Sequence, residues 1–163
     1  MTKNKNVVRD ETPAPYNLGD DNNIIARAIA ILQQRMASGP ILQSPRDVKD
    51  YLQLTLAPLE YESFTVVFLT SQHHVITTEE LFRGTLNQTS VYPREVVKRA
   101  LFHNAGAVIL CHNHPSGLAE PSRADEFLTQ SLKSALLLVD VRVIDHIVVA
   151  ASGTVSFAER GLI

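Results

Sequence analysis

Ala107-Val108-Ile109-Leu110-Cys111-His112-Asn113-His114-Pro115-Ser116-Gly117, followed closely by Pro121-Ser122-Arg123-Ala124-Asp125, decides how this chain is read. The apolar run Ala107 to Cys111 suits a central strand covered on both faces, and it passes directly into His112. On an extended backbone, residues two apart share a face, so His112 and His114 offer both imidazoles to one side. Cys111 and Asn113 point the other way, which disfavours the Cys111 thiol as a fourth ligand. The loop from Pro115 to Pro121 is long enough to turn back, and Asp125 falls in the first turn of the next helix. Its carboxylate can thereby return over the strand end. Two imidazoles and one carboxylate are the three-ligand set of a catalytic zinc, with the fourth tetrahedral position left to water.

Outward from this centre, the pattern alternates between helix and strand periods. Ile24, Ile25, Ala28, Ile29, Ile31 and Leu32 recur at helical spacing until the stop signal Gly39-Pro40. Ser44-Pro45 reads as an N-cap with proline at the first helical position, opening a second helix on Val48, Tyr51, Leu52 and Leu56 that Pro58 ends. Phe64 to Leu69, a turn holding His73 and His74, and Val75 to Thr78 form a hairpin. Glu80 to Leu86 either prolongs the second strand or makes a separate edge strand. Pro93 opens a helix with Val96, Val97, Ala100 and Leu101 inward, and a further helix spans Ser122 to Val139 on Leu128, Leu132, Ala135, Leu136 and Val139. Val141 to Val149 supplies another strand, and Thr154 to Phe157 a last one. Residues 1–22 read as a mobile polar tail and 23–163 as one domain.

Composition narrows the function classes. Lys+Arg 15 against Asp+Glu 17 gives a net charge of −2, which argues against a protein that holds nucleic acid mainly by charge and disfavours direct nucleic-acid binding while leaving a local basic patch open. Cys111 is the single cysteine, which excludes an intrachain disulfide and leaves a metal site to His and carboxylates. No apolar run approaches the roughly 18 residues of a membrane span, no signal core is present, and the composition fits the cytoplasm.

Hydrolysis at such a centre needs a base. Glu62, just before the strand Phe64 to Leu69, is the candidate, with Glu60, Glu79 and Glu80 as competitors that spacing alone leaves open. Ser122 is the right kind of donor for an oxyanion. Both Ser122 and Asp125 also have a plainer reading, because Ser-x-x-Asp at a helix start resembles a capping box. Asp145-His146 in an apolar strand reads as a satisfied buried pair, His103 as a helix C-terminal histidine, and Arg94, Lys98 and Arg99 as a solvated helix face.

Taken together, His-x-His, seven residues, Ser, two residues, Asp resembles the JAMM signature of the JAB/MPN metallopeptidases. Tyr92 to Leu101, His112 to Gly117 and Ser156 to Gly161 resemble the RadC-like branch of that family, over about Ile24 to Ile163. The resemblance implies a three-layer α/β/α, cytidine-deaminase-like fold with a mixed central sheet. It implies one zinc on His112, His114 and Asp125, Glu62 as proton carrier, Ser122 at the tetrahedral intermediate, and a peptide or protein substrate cleaved at peptide or isopeptide bonds. The chain resembles the short form, without the N-terminal helix-hairpin-helix region of longer relatives, and Cys111 stands where a small residue is commoner. Two other readings accompany this one: a DNA-repair or mobile-element accessory protein, and a non-catalytic scaffold. Substrate identity and homo-oligomerisation stay open. His112-Asn113-His114 is not the dispersed motif of the HNH nucleases, and one cysteine cannot supply the Pro-Cys-x-x-Cys of zinc deaminases.

Overall fold

A computed structural model describes residues 18–38, 45–85 and 90–163. The elements run α1 (Leu18–Ser38), α2 (Pro45–Leu56), β1 (Ser63–Leu69), β2 (Val75–Arg83), α3 (Pro93–Phe102), β3 (Ala107–Asn113), α4 (Arg123–Leu137), β4 (Arg142–Ala150) and β5 (Gly153–Ser156). The strands form one mixed sheet in the order β2-β1-β3-β4-β5. Only β3 and β4 run parallel, as strands joined through a crossover helix must, and the remaining pairs are antiparallel.

Side-chain parity sorts the sheet into two apolar faces. Val67 and Leu69 of β1, Ala107, Ile109 and Cys111 of β3, and Ile147 and Val149 of β4 pack under α1 and α2. Phe64, Val66 and Phe68 of β1, with Val108 and Leu110 of β3, pack under α3 and α4 against Val96, Ala100, Leu132 and Leu136. The result is the expected α/β/α sandwich. β1 and β3 are buried along their whole length, which is why both read as unbroken apolar runs rather than alternating ones. Burying each large side chain here stabilises the fold by roughly 1.5–3 kcal/mol.

Several boundaries differ from the sequence reading. α1 begins at Leu18 rather than near Ile24, with Asp20 and Asp21 in its first turn at the positive end of the helix dipole, so residues 18–22 belong to a helix. Its apolar positions divide: Leu32 is buried and Ile29 and Met36 pack beside it, whereas Ile24, Ile25 and Ile31 are exposed. The stop Gly39-Pro40, the cap Ser44 and Leu86 lie outside the described residues, as do residues 1–17. Glu80 to Arg83 prolongs β2, with register shifts at Phe64/Thr65 and Phe68/Leu69 absorbing the length difference from β1. The hairpin turn does hold His73 and His74, His73 at φ 66°.

Candidate metal centre

Phe64 lies opposite His112 in the antiparallel β1–β3 pair, so the C-terminal end of β3 meets the N-terminal end of β1. His112 is 1% exposed on the α4 side of the sheet, with the Phe64 ring stacked beside it. His114 follows on the same side. The chain remains anchored to β4 there, because His114 N donates to Val149 O at 2.8 Å. It then turns at Gly117, whose φ of 88° lies in the region L residues avoid. This turn brings the chain back to α4 and Asp125.

The three side chains converge as their spacing predicts. His112 Nε2 lies 2.9 Å from His114 Nε2 and 3.3 Å from Asp125 Oδ1, and His114 Nε2 is 3.7 Å from Asp125 Oδ2. One ligand atom from each falls within 4.8 Å of the others, so the trio is a set that could hold a metal ion. The donor chemistry fits. His114 Nδ1 is 2.9 Å from Leu118 O, and since a carbonyl only accepts, Nδ1 carries the hydrogen and Nε2 offers a lone pair to the centre. Burial holds the His112 pKa down at about 4, against the pull of the Asp125 carboxylate and with the help of His114, so this ring is a neutral imidazole at physiological pH. Among the described residues no lysine or arginine pairs with Asp125, and the positive charge that would balance the carboxylate has to come from elsewhere.

Ser122 and Asp125 form the capping box that their spacing predicts, and Asp125 at the same time faces the two histidines. Ser122 caps α4: its Oγ accepts from Asp125 N at 3.2 Å, and Asp125 Oδ2 accepts from Ser122 N at 2.7 Å. The Ser122 hydroxyl also donates to Asp125 Oδ2 at 2.7 Å. A capping box thus orients the carboxylate and leaves Oδ1 as the oxygen nearer His112.

Glu62 sits directly before β1, half-buried, two residues from the Phe64 that pairs with His112. Its backbone is pinned twice to the chain after β2, Glu62 N donating to Thr85 O and Gly84 N to Glu62 O, both at 2.8 Å. Asn113 braces the same segment from the opposite side of β3. Its Oδ1 accepts from Ser63 N at 2.7 Å, and its Nδ2 donates to Tyr61 O at 2.9 Å and Leu59 O at 3.4 Å. The competing glutamates are placed differently. Glu79 is bound to Arg99 and His103, Glu80 accepts from Ser63 Oγ and Tyr61 Oη, and Glu60 is exposed in the bend after α2.

Two sequence readings are corrected. His146 is buried and Asp145 half-buried, both satisfied but not as a side-chain pair: Asp145 accepts from His146 N, Ala158 N and Ser156 Oγ, while the His146 ring turns to the α4 face. There it meets His112 Nδ1 at 2.8 Å and Thr129 Oγ1 at 2.6 Å. Burial, then the neighbouring His112 and His114, lowers its pKa well below the ordinary histidine value. The basic cluster on α3 departs from a solvated face at Arg99, which forks onto Glu79, whereas Arg94 and Lys98 are exposed as expected and Lys98 pairs with Glu95 on the surface. Thr129 was missed altogether. Asp125, Thr129, Leu132 and Leu136 share one helical face, and a threonine within that stripe is the signal that would have found it. Cys111 does face away, in the α1/α2 core, where burial pushes its thiol pKa well up and leaves it a small hydrophobe.

The RadC-like JAB domain family matches residues 42–162 of this sequence. The chain belongs to the RadC-like JAB domain family. Its relatives include a UPF0758 protein of Methylibium petroleiphilum, 67% identical over 132 residues, covering 81% of this chain and 60% of that protein. A UPF0758 protein of Leptothrix cholodnii is 65% identical over 134 residues, covering 82% and 60% respectively. One from Nitrosomonas eutropha is 60% identical over 140 residues, covering 86% and 62%. This RadC-like domain therefore spans about 60% of the length of the relatives it matches. Among its described residues no helix is long and apolar enough to cross a membrane.

Proposed function

We propose that this RadC-like domain is a zinc-dependent hydrolase of the JAMM type that cleaves peptide or isopeptide bonds. The observation that carries the reading is the convergence of His112, His114 and Asp125 at the end of β3 with, among the described residues, no lysine or arginine to neutralise the carboxylate. A zinc ion there would supply a Lewis acid that lowers the pKa of water to about 7 and polarises a carbonyl. Glu62 takes the proton of the attacking water and returns it to the leaving nitrogen. Its support is placement: it borders the strand that carries His112's partner, while Glu79 and Glu80 are held by other groups. Ser122 gives its hydroxyl hydrogen to Asp125 in the resting site and turns it to the carbonyl oxygen as negative charge gathers there.

The test is elemental analysis of untagged protein, followed by a peptide and isopeptide cleavage screen. About one zinc per chain in the wild type, lost in Asp125→Ala, is the expected result. Glu62→Gln should keep the zinc and lose about 100-fold or more in turnover. Absence of zinc from wild type supplied with the metal would refute the proposal.

A further inference from the structure

Behind the ligand cluster runs a line of hydrogen bonds whose directions are forced one after another. The Thr129 hydroxyl lies 2.6 Å from Asp125 O, and because a carbonyl only accepts, the hydroxyl spends its single hydrogen there. Toward His146 Nδ1, 2.6 Å away, Thr129 Oγ1 is then left as an acceptor, so Nδ1 of His146 carries the hydrogen. The His146 ring is 0% exposed, lies against Phe64 and Phe157 and, among the described residues, meets no carboxylate. A neutral ring with its hydrogen on Nδ1 has its lone pair on Nε2. That lone pair faces His112 Nδ1 at 2.8 Å, so His112 donates from Nδ1 and its own lone pair is left on Nε2. Nε2 is the atom that converges with His114 Nε2 and Asp125 Oδ1.

We propose that His146 is a positioning residue which, through Thr129, holds His112 in the Nδ1–H tautomer and ties the β3 ligand to the α4 helix that carries Asp125. The reading rests on the metal-centre assignment made above and adds a function for two buried polar residues that neither the ligand set nor the base requires. The line starts at the backbone carbonyl of one ligand and ends on the ring of another. A shift of α4 relative to the sheet would therefore break it, and His146 sets the spacing between the two ligands as well as the tautomer. His114 has an independent lock in the Leu118 carbonyl, so the two imidazoles are oriented by different elements.

The experiment uses the whole chain labelled with ¹⁵N in its histidines, free of zinc and at pH 7.5, with long-range proton–nitrogen correlation reporting the tautomer of each ring. In the wild type His112 and His146 should both appear as Nδ1–H. His146→Phe, which fills the space but accepts no hydrogen bond, should release His112 into a tautomer mixture and weaken zinc binding about 10- to 100-fold in a chelator competition. His146→Gln, whose amide oxygen can accept from His112, should recover most of that affinity. An Nε2–H tautomer at His112 in the wild type overturns the proposal even if neither variant folds. Folded His146→Phe with wild-type zinc affinity overturns it as well. Failure of the wild type to take up zinc counts against the hydrolase reading alone, because the metal-free spectra still decide the role of His146.

Discussion

Two histidine–carboxylate clusters occupy the α3/α4 face of this sheet, one at each end, and they differ in what completes them. Near the start of β3, Glu79 of β2 meets Arg99 and His103 of α3: the guanidinium gives Nε to Oε2 at 2.8 Å, and His103 Nε2 lies 2.7 Å from Oε1. At the end of β3, Asp125 meets His112 and His114 and, among the described residues, no guanidinium. The hydrogen bond from Arg99 holds the Glu79 carboxyl below its ordinary range despite the cost of burial, and His103 helps. That cluster is electrically closed. The other presents lone pairs and a carboxylate to a common point, and its closure requires a cation. Residue type is almost the same in both, so the lesson concerns partners: a histidine beside a carboxylate becomes a ligand candidate when no permanent cation is built in.

The largest effect that would sharpen this contrast is on metal uptake. His112→Ala should reduce bound zinc from about one per chain to background, whereas Glu79→Gln should leave it unchanged; equal loss in both variants would erase the distinction between the clusters. Asn113→Ala comes next. It strands the buried Ser63 N–H and the Tyr61 carbonyl, so a cost of about 2–3 kcal/mol in urea unfolding is expected, with zinc retained and turnover lowered because the Glu62 segment loses its brace. Thr129→Val should cost about 1–2 kcal/mol by leaving the His146 Nδ1–H without an acceptor. It should also weaken zinc binding by about tenfold, and a variant neutral in both respects would break the line between the two ligands.

The smallest effect belongs to the closed cluster. Glu79→Gln should cost no more than about 1 kcal/mol, as expected for a partly exposed ion pair. Its pH dependence has a definite sign. The folded carboxyl titrates below its ordinary value of 4.5, so the stabilisation is fully present above that pH and is lost as pH falls through the folded value. Unfolding curves of wild type and Glu79→Gln should thus be separated at pH 5 and converge as the pH falls below 4.5. A gap that persists undiminished well below pH 4.5 would contradict the assignment.

Legibility in the sequence follows the range of the physics involved. His112 and His114 were readable because strand parity is set by the backbone itself, and Asp125 because a short return loop leaves few places for the helix to start. The same parity placed Cys111 on the opposite face, where it is found. The extension of β2 through Arg83 was not decidable, since the register shifts that accommodate it depend on how β1 and β2 pair. The outward position of Ile24, Ile25 and Ile31 was equally hidden. Helical spacing marks an apolar stripe, and only the packing of α1 on its neighbours decides how much of the stripe is covered.

The histidine at position 146 shows the boundary most clearly. Its neighbour Asp145 is adjacent in the chain, so a local pairing was the natural reading, yet alternation along β4 sends the two side chains to opposite faces. By itself the sequence determined which residues lie on which face of their own strand or helix, because those periods are properties of a single segment. The joining of His112 to His146 and Thr129, the loss of Glu79 and Glu80 to other partners, and the placement of Glu62 beside the ligand strand were decided only by tertiary structure. Each depends on the register between strands remote in the chain and on the seating of α4 against them, and no local period encodes either.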